Sequence, residues 1–237
     1  MRLDSTTESS TSTAAAPTTP HFFDYLAFDG SPTFDVKQAT IDYVAMRGKA
    51  PESLYASNYV LRGGVIGPLT RKDLTETQAG FDLLAAFSNV ETNPFGYALD
   101  PKNPYRCLFF EQWTAKHTGT LKAGPSEFSA TGNVMNGPVS VTSIHWNPDK
   151  KIVYESVGAV VDRHEGNTSG KAAVFGLLHT AGLKLPGSPG SIVLRAQQRI
   201  GHLLGQGGRS YSREKDVPVW WKSMSRGADI TDDTWSN

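Results

Sequence analysis

The chain has 237 residues, with 23 Lys and Arg balanced by 23 Asp and Glu, a length that supports one sizeable core or two small ones. Charge so balanced and interspersed gives no reason to expect nucleic acid or an anionic membrane as partner, and the basic residues that collect after residue 194 read as ordinary surface. The single cysteine, Cys107, excludes an intrachain disulfide and a zinc site built on several thiolates, and no apolar run reaches the length of a membrane span.

Residues 1–20 are dominated by Ser, Thr, Ala and Pro and cannot bury enough apolar surface to offset the entropy of ordering, which predicts a disordered arm. The arm is Ser/Thr-rich like a transit peptide, yet it carries Asp4, Glu8 and one arginine. The expectation is a soluble intracellular protein, with an organelle such as the plastid left open. Apolar residues recurring from Val36 to Met46, with Asp35 as N-cap and Gly48 as stop, predict an amphipathic helix. Tyr59 to Leu69 reads as a strand bent by its glycines, and Thr70 followed by Asp73 opens a helix whose apolar stripe runs to Phe87.

Tyr105 to Thr120 alternates as a long strand, with Cys107 as a buried small hydrophobe, and Phe128 to Val134 reads as another. Val139 to Trp146 and Lys151 to Val161 flank Asn147-Pro148-Asp149-Lys150, an antiparallel hairpin with a four-residue turn. Beyond Asp162, helices are expected over 171–181 and 191–206. The tail carries Trp220 and Trp221, a pair suited to anchoring it in a groove.

The segment Glu111-Gln112-Trp113-Thr114-Ala115-Lys116-His117-Thr118-Gly119-Thr120 resembles the strand of form W-T-x-x-H-T-G in the SnoaL-like polyketide cyclase branch of the nuclear transport factor 2-like superfamily. Asp149 to Glu155, followed by Asp162, resembles that family's hairpin turn and the strand leading to an aspartate, with Lys150 where the turn usually has glycine. The order of elements over about residues 35–163 agrees with the same family. The resemblance implies an α+β fold in which a strongly bent antiparallel sheet wraps N-terminal helices into a cone-shaped α+β barrel. In that division residues 21–163 form the cone and residues 164–237 a helical and irregular C-terminal extension packed on it. It also implies a homodimer formed through the outer sheet face.

By that resemblance, Asp162 is the acid/base residue and His117 a polar residue of an apolar pocket, whose walls would draw on Trp113, Glu111, Tyr154, Tyr59, His145 and Trp146. A carboxylate in an apolar pocket suits proton transfer beside a carbonyl, because desolvation raises its pKa toward neutrality. Alternation places Tyr154, Ser156 and Asp162 on one strand face. Each residue also has a bland reading. Asp162-Arg163-His164-Glu165 is polar enough for a solvated loop, His117 is a common structural histidine, Glu111 could face water, and Trp113 and Trp146 suit core or pocket wall.

The six histidines show no familiar metal spacing, no nucleotide fingerprint follows a strand, and no Gly-x-Ser-x-Gly elbow is present. The His-His-His-Ser-Arg signature of the metal-independent carbonic anhydrases that share the superfamily fold is absent as well. No cofactor and no metal are therefore expected. Two functions stay open at this point: a cofactor-free cyclase, isomerase or hydratase acting on a small apolar molecule, and a non-enzymatic binding or assembly subunit that uses its C-terminal extension for contact.

Overall fold

A computed structural model describes residues 26, 28, 30–46, 48–123, 125–185, 191–205 and 208–224; the expected arm over residues 1–20 lies outside them. Helix α1 (Val36–Ala45) starts where expected, with the Asp35 carboxylate accepting from the Gln38 N–H at 2.9 Å. It buries Val36, Ala39, Tyr43 and Val44, each large side chain contributing about 1.5–3 kcal/mol. Strand β1 (Tyr55–Gly63) and the short β2 (Leu69–Thr70) follow. The helix expected to run to Phe87 is two: α2 (Arg71–Ala79) stops at Gly80, and α3 (Leu83–Ala86) begins at its own N-cap, Asp82, whose carboxylate accepts from the Ala85 N–H.

The expected strand from Tyr105 to Thr120 also divides. Strands β3 (Pro94–Asp100) and β4 (Asn103–Glu111) form a hairpin, and the chain leaves the sheet at Gln112. The short β5 (Thr114–Lys116) then pairs with β8 (Val134–Asn136), outside the main sheet, while β6 (Leu121–Ala123) pairs with β7 (Ser126–Phe128). Strands β9 (Ser140–Trp146) and β10 (Ile152–Val160) form the expected antiparallel hairpin. Lys150 holds its turn with φ of +57°, the left-handed conformation that glycine adopts without strain.

The main sheet is curved and six-stranded, in the order β2-β1-β10-β9-β4-β3. It is not wholly antiparallel: β1 runs parallel to β10, while the other four pairings are antiparallel. A row Leu61–Glu155–Ile144–Cys107 crosses its inner face under α1, and the next row, Val60–Tyr154–His145–Arg106, crosses the outer face. The inner face is packed with Tyr43, Tyr59, Phe109, Ile144, Trp146 and their neighbours.

The C-terminal extension contains α4 (Ala173–Thr180), α5 (Ile192–Leu203) and α6 (Val219–Met224). Helix α4 packs with Phe87, Ala115, Leu121 and Met135 in a second cluster beside the sheet. The tryptophan pair anchors the tail as its composition suggests. Trp221 is buried with Val60, Val153 and Tyr154 on the outer face, and Trp220 donates its ring N–H to the Asn58 carbonyl at 3.0 Å. Among the described residues, no helix is long and apolar enough to cross a membrane.

Candidate functional site

The inner face contains a carboxylate that alternation did not single out. Glu155 lies on the same row as Leu61 and Ile144 and is 2% exposed. Its Oε1 accepts two phenol hydroxyls, from Tyr43 at 2.6 Å and from Tyr59 at 2.9 Å. Tyr43 has one hydroxyl proton and spends it on Glu155, so Tyr55 is the donor in the 3.2 Å contact between the two hydroxyls. The result is a relay from half-buried Tyr55 through Tyr43 to a buried carboxylate. Three elements supply it: Tyr43 faces the sheet from α1, Tyr55 and Tyr59 come from β1, and Glu155 comes from β10.

The surroundings hold each ring in place. Tyr43 packs edge-on against Trp146 and Tyr55, and Tyr55 edge-on against Tyr59. The Arg71 guanidinium lies 3.9 Å from the centre of the Tyr55 ring and pairs with Glu52 at 2.9 Å. Burial, reinforced by the nearby Glu155 charge, raises the Tyr59 hydroxyl well above its ordinary pKa, so Tyr59 remains a donor. Phenol hydroxyls donating to a carboxylate oxygen make short, strong hydrogen bonds.

Of the residues expected to form a pocket, Tyr59 and Trp146 belong to this region. Trp146 acts as a wall, with its ring N–H donated to Thr40 Oγ1 at 3.0 Å. Glu111 is also on the inner face and buried, but it sits at the other end of the sheet, opposite Ser140, where it accepts from the Thr142 hydroxyl at 3.0 Å. Arg62 on β1 donates to the Gly67 carbonyl.

The other expected residues lie elsewhere. Asp162 is exposed in the turn after β10, and its carboxylate accepts from the His164 N–H at 2.8 Å, which matches the solvated-loop reading. Tyr154 and His145 stack on each other at 5.4 Å on the outer face, under Trp221. Burial and the neighbouring Arg106 depress His145 to a pKa of about 3, so it is neutral near pH 7. Trp113 and His117 belong to the region of the second cluster. His117 stacks on Phe87 at 4.9 Å, and its Nδ1 accepts from the Thr131 N–H at 3.3 Å. Burial lowers its pKa, and its placement is that of a packed structural histidine.

Gly119 of the same segment also has a structural reason, since a Cβ there would lie 2.0 Å from the Ala85 carbonyl oxygen. A shallow open groove of about 460 Å³ lies between Asn133, Val134, Asn167, His179 and Thr180. Its asparagine amides are already engaged with the Thr180 and Val134 carbonyls. Among the described residues, no three His, Cys, Asp or Glu side chains come together as metal ligands.

The signal that could have exposed the Glu155 cluster is a carboxylate in an otherwise apolar and aromatic run, Ile152-Val153-Tyr154-Glu155, facing a tyrosine-rich strand. No protein-family model matches this sequence, and no curated protein matches it at a significant level.

Proposed function

We propose that this protein is a cofactor-independent acid/base catalyst of the isomerase, cyclase or lyase type, acting on a small, largely apolar carbonyl compound, with Glu155 in the role that the sequence resemblance gave to Asp162. The observation carrying this reading is the buried carboxylate that receives two tyrosine hydroxyls on one oxygen. Burying a carboxylate is costly unless donors reach its oxygens, and a positioned carboxylate with ordered hydroxyl donors beside it has the parts that acid/base catalysis needs. This reading rests on the sequence resemblance to the nuclear transport factor 2-like superfamily, in which the sheet face under α1 would be the inside of the cone.

The chemistry follows from the donor count. Tyr55, the half-buried member of the cluster, is the point from which a substrate would approach it. Glu155 takes a proton from carbon beside the carbonyl, and the electron pair of that C–H bond moves onto the carbonyl oxygen. A neutral Glu155 no longer needs both phenol donors, so Tyr43 or Tyr59 turns to the new oxyanion. Where a carbon–carbon double bond adjoins the enolate, the oxyanion collapses back to the carbonyl, the electron pair shifts through that double bond to its far carbon, and that carbon takes the proton back from Glu155, which completes an isomerisation.

The test is deuterium incorporation from D₂O into the acidic C–H positions of a panel of cyclic ketones and 1,3-dicarbonyl compounds, followed by proton NMR. The native chain and Asp162→Asn are expected to accelerate exchange of at least one compound, and Glu155→Gln to lose the acceleration while keeping its circular dichroism spectrum. Exchange no faster than buffer, or equal exchange by Glu155→Gln, overturns the proposal. One observation favours the non-enzymatic alternative of a binding or assembly subunit: the exposed aliphatic face of α5.

A further inference from the structure

We propose that α5 is an interfacial anchor that lays its aliphatic face on an anionic lipid surface, with Arg195 and the surrounding basic segment facing the headgroups. An amphipathic helix of a globular protein turns its apolar stripe to the core, and α5 does the reverse. Ile192, Val193, Ala196, Ile200, Leu203 and Leu204 are all exposed, Ile192 at 75% and Leu203 at 86%. At about 100° per residue these six positions occupy roughly 120° of the helix surface.

The opposite side holds the helix to the protein. Leu194 is buried, the Gln198 amide donates to the Val65 carbonyl at 3.0 Å, and the Ser210 N–H donates to His202 Nε2 at 2.9 Å. Ser191 caps the N-terminus by accepting from the Leu194 N–H. The aliphatic face is therefore fixed pointing away from the body of the protein.

Charge selects the occupant. Arg195 and Arg199 are partly exposed and flank the aliphatic arc on one side, and the helix contains no acidic residue. Across residues 166–213 the chain has Lys171, Lys184, Arg195, Arg199, Arg209 and Arg213 and no Asp or Glu, a local imbalance that the zero net charge conceals. An aliphatic arc with arginines at its margin, lying along a short helix, is the pattern of a helix in the plane of an anionic bilayer. A second copy packed on the same face would gather the arginines of both helices with no acidic residue on either helix to offset them.

The test is co-sedimentation of the full chain with phosphatidylcholine vesicles, with and without phosphatidylserine, at low and high salt. The native chain is expected to sediment with the phosphatidylserine vesicles, less at high salt, and little with phosphatidylcholine alone. Leu203→Glu is expected to abolish binding, Arg195→Ala to weaken it about fivefold, and Leu84→Glu, at an exposed site on α3, to leave it unchanged. Circular dichroism checks that each variant folds. Failure of the native chain to bind, binding insensitive to Leu203→Glu, or a Leu203-dependent dimer in analytical ultracentrifugation without lipid each overturns the proposal.

Discussion

Tyr43 on α1 and Glu155 on β10 are 112 positions apart in the chain and meet in a buried hydrogen bond of 2.6 Å. This contact ties the first helix to the last strand of the sheet, so its loss should be felt globally. Tyr43→Phe keeps the ring packing and removes one of the two phenol donors to Oε1 of the buried Glu155. The expected cost is about 1.5–3 kcal/mol, measured by urea denaturation. Tyr43→Phe combined with Tyr59→Phe should cost more than the sum of the single changes, because the second deletion strips the remaining phenol donor from Oε1. Strict additivity would mean that the two phenols do not share one carboxylate.

The hairpin was legible in the sequence because alternation and the Asn-Pro-Asp-Lys turn agree, whereas the inward-facing side was not. Ile152 pairs with Trp146 and Tyr154 with His145, so β10 spends an extra residue at Val153. That bulge sends Ile152 inward and Tyr154 outward although they have the same parity, and a second irregularity lies between Ser156 and Ala159, where Gly158 has φ of +71°. Counting back in twos from Asp162 therefore selected Tyr154 and Ser156 and passed over Glu155. Helix α1 was readable from its cap and stripe, but the meeting of Tyr43 with Glu155 depends on how α1 docks, which no local pattern encodes. His117 was open to two readings in the sequence, and its stacking on Phe87 depends on a contact 30 residues away in the chain that no local pattern encodes.

The stability of the protein should fall in acid, with His145 as one identifiable cause. Its folded pKa of about 3 lies below the unfolded value of 6.5, so between these values the unfolded chain binds more protons. Stability therefore rises with pH across this window and is lost as pH falls from 6.5 toward 3. The slope from this residue approaches about 1.4 kcal/mol per pH unit. His145→Phe, which keeps an aromatic face against Tyr154, should flatten the profile of unfolding free energy against pH between pH 6 and about pH 4. A variant profile parallel to the native one would exclude His145 as the titrating group.

Gly119 should resist substitution for a packing reason. A Cβ added there lies 2.0 Å from the Ala85 oxygen, a backbone atom of α3. The N–H groups of Thr118 and Gly119 both donate to the Ala86 carbonyl at 3.0 Å, so the two segments cannot separate without breaking these bonds. Gly119→Ala is expected to destabilise the protein by about 2–3 kcal/mol, read from the denaturation midpoint. The same substitution at Gly132, where a Cβ would meet nothing within 4 Å but φ is +71°, should show only the cost of backbone strain, about 1–2 kcal/mol.

Trp221 covers part of the outer sheet face, where it is 4% exposed and its ring lies 5.4 Å from that of Tyr154. Val60, Val153 and Tyr154 beneath it are themselves buried, with Leu26, Ala56 and Val217 completing the cluster. Trp221→Ala should cost about 3–5 kcal/mol if the tail stays docked around the cavity. If the tail lifts instead, the apolar residues below become exposed, and the chain should bind the dye ANS and elute earlier in size-exclusion chromatography as copies associate through the uncovered face. Trp220→Ala removes a more exposed ring and one hydrogen bond to Asn58, so it should lose less stability and leave both readouts near native. Equal effects from the two substitutions would show that the tail is held as a unit rather than by the buried ring of Trp221.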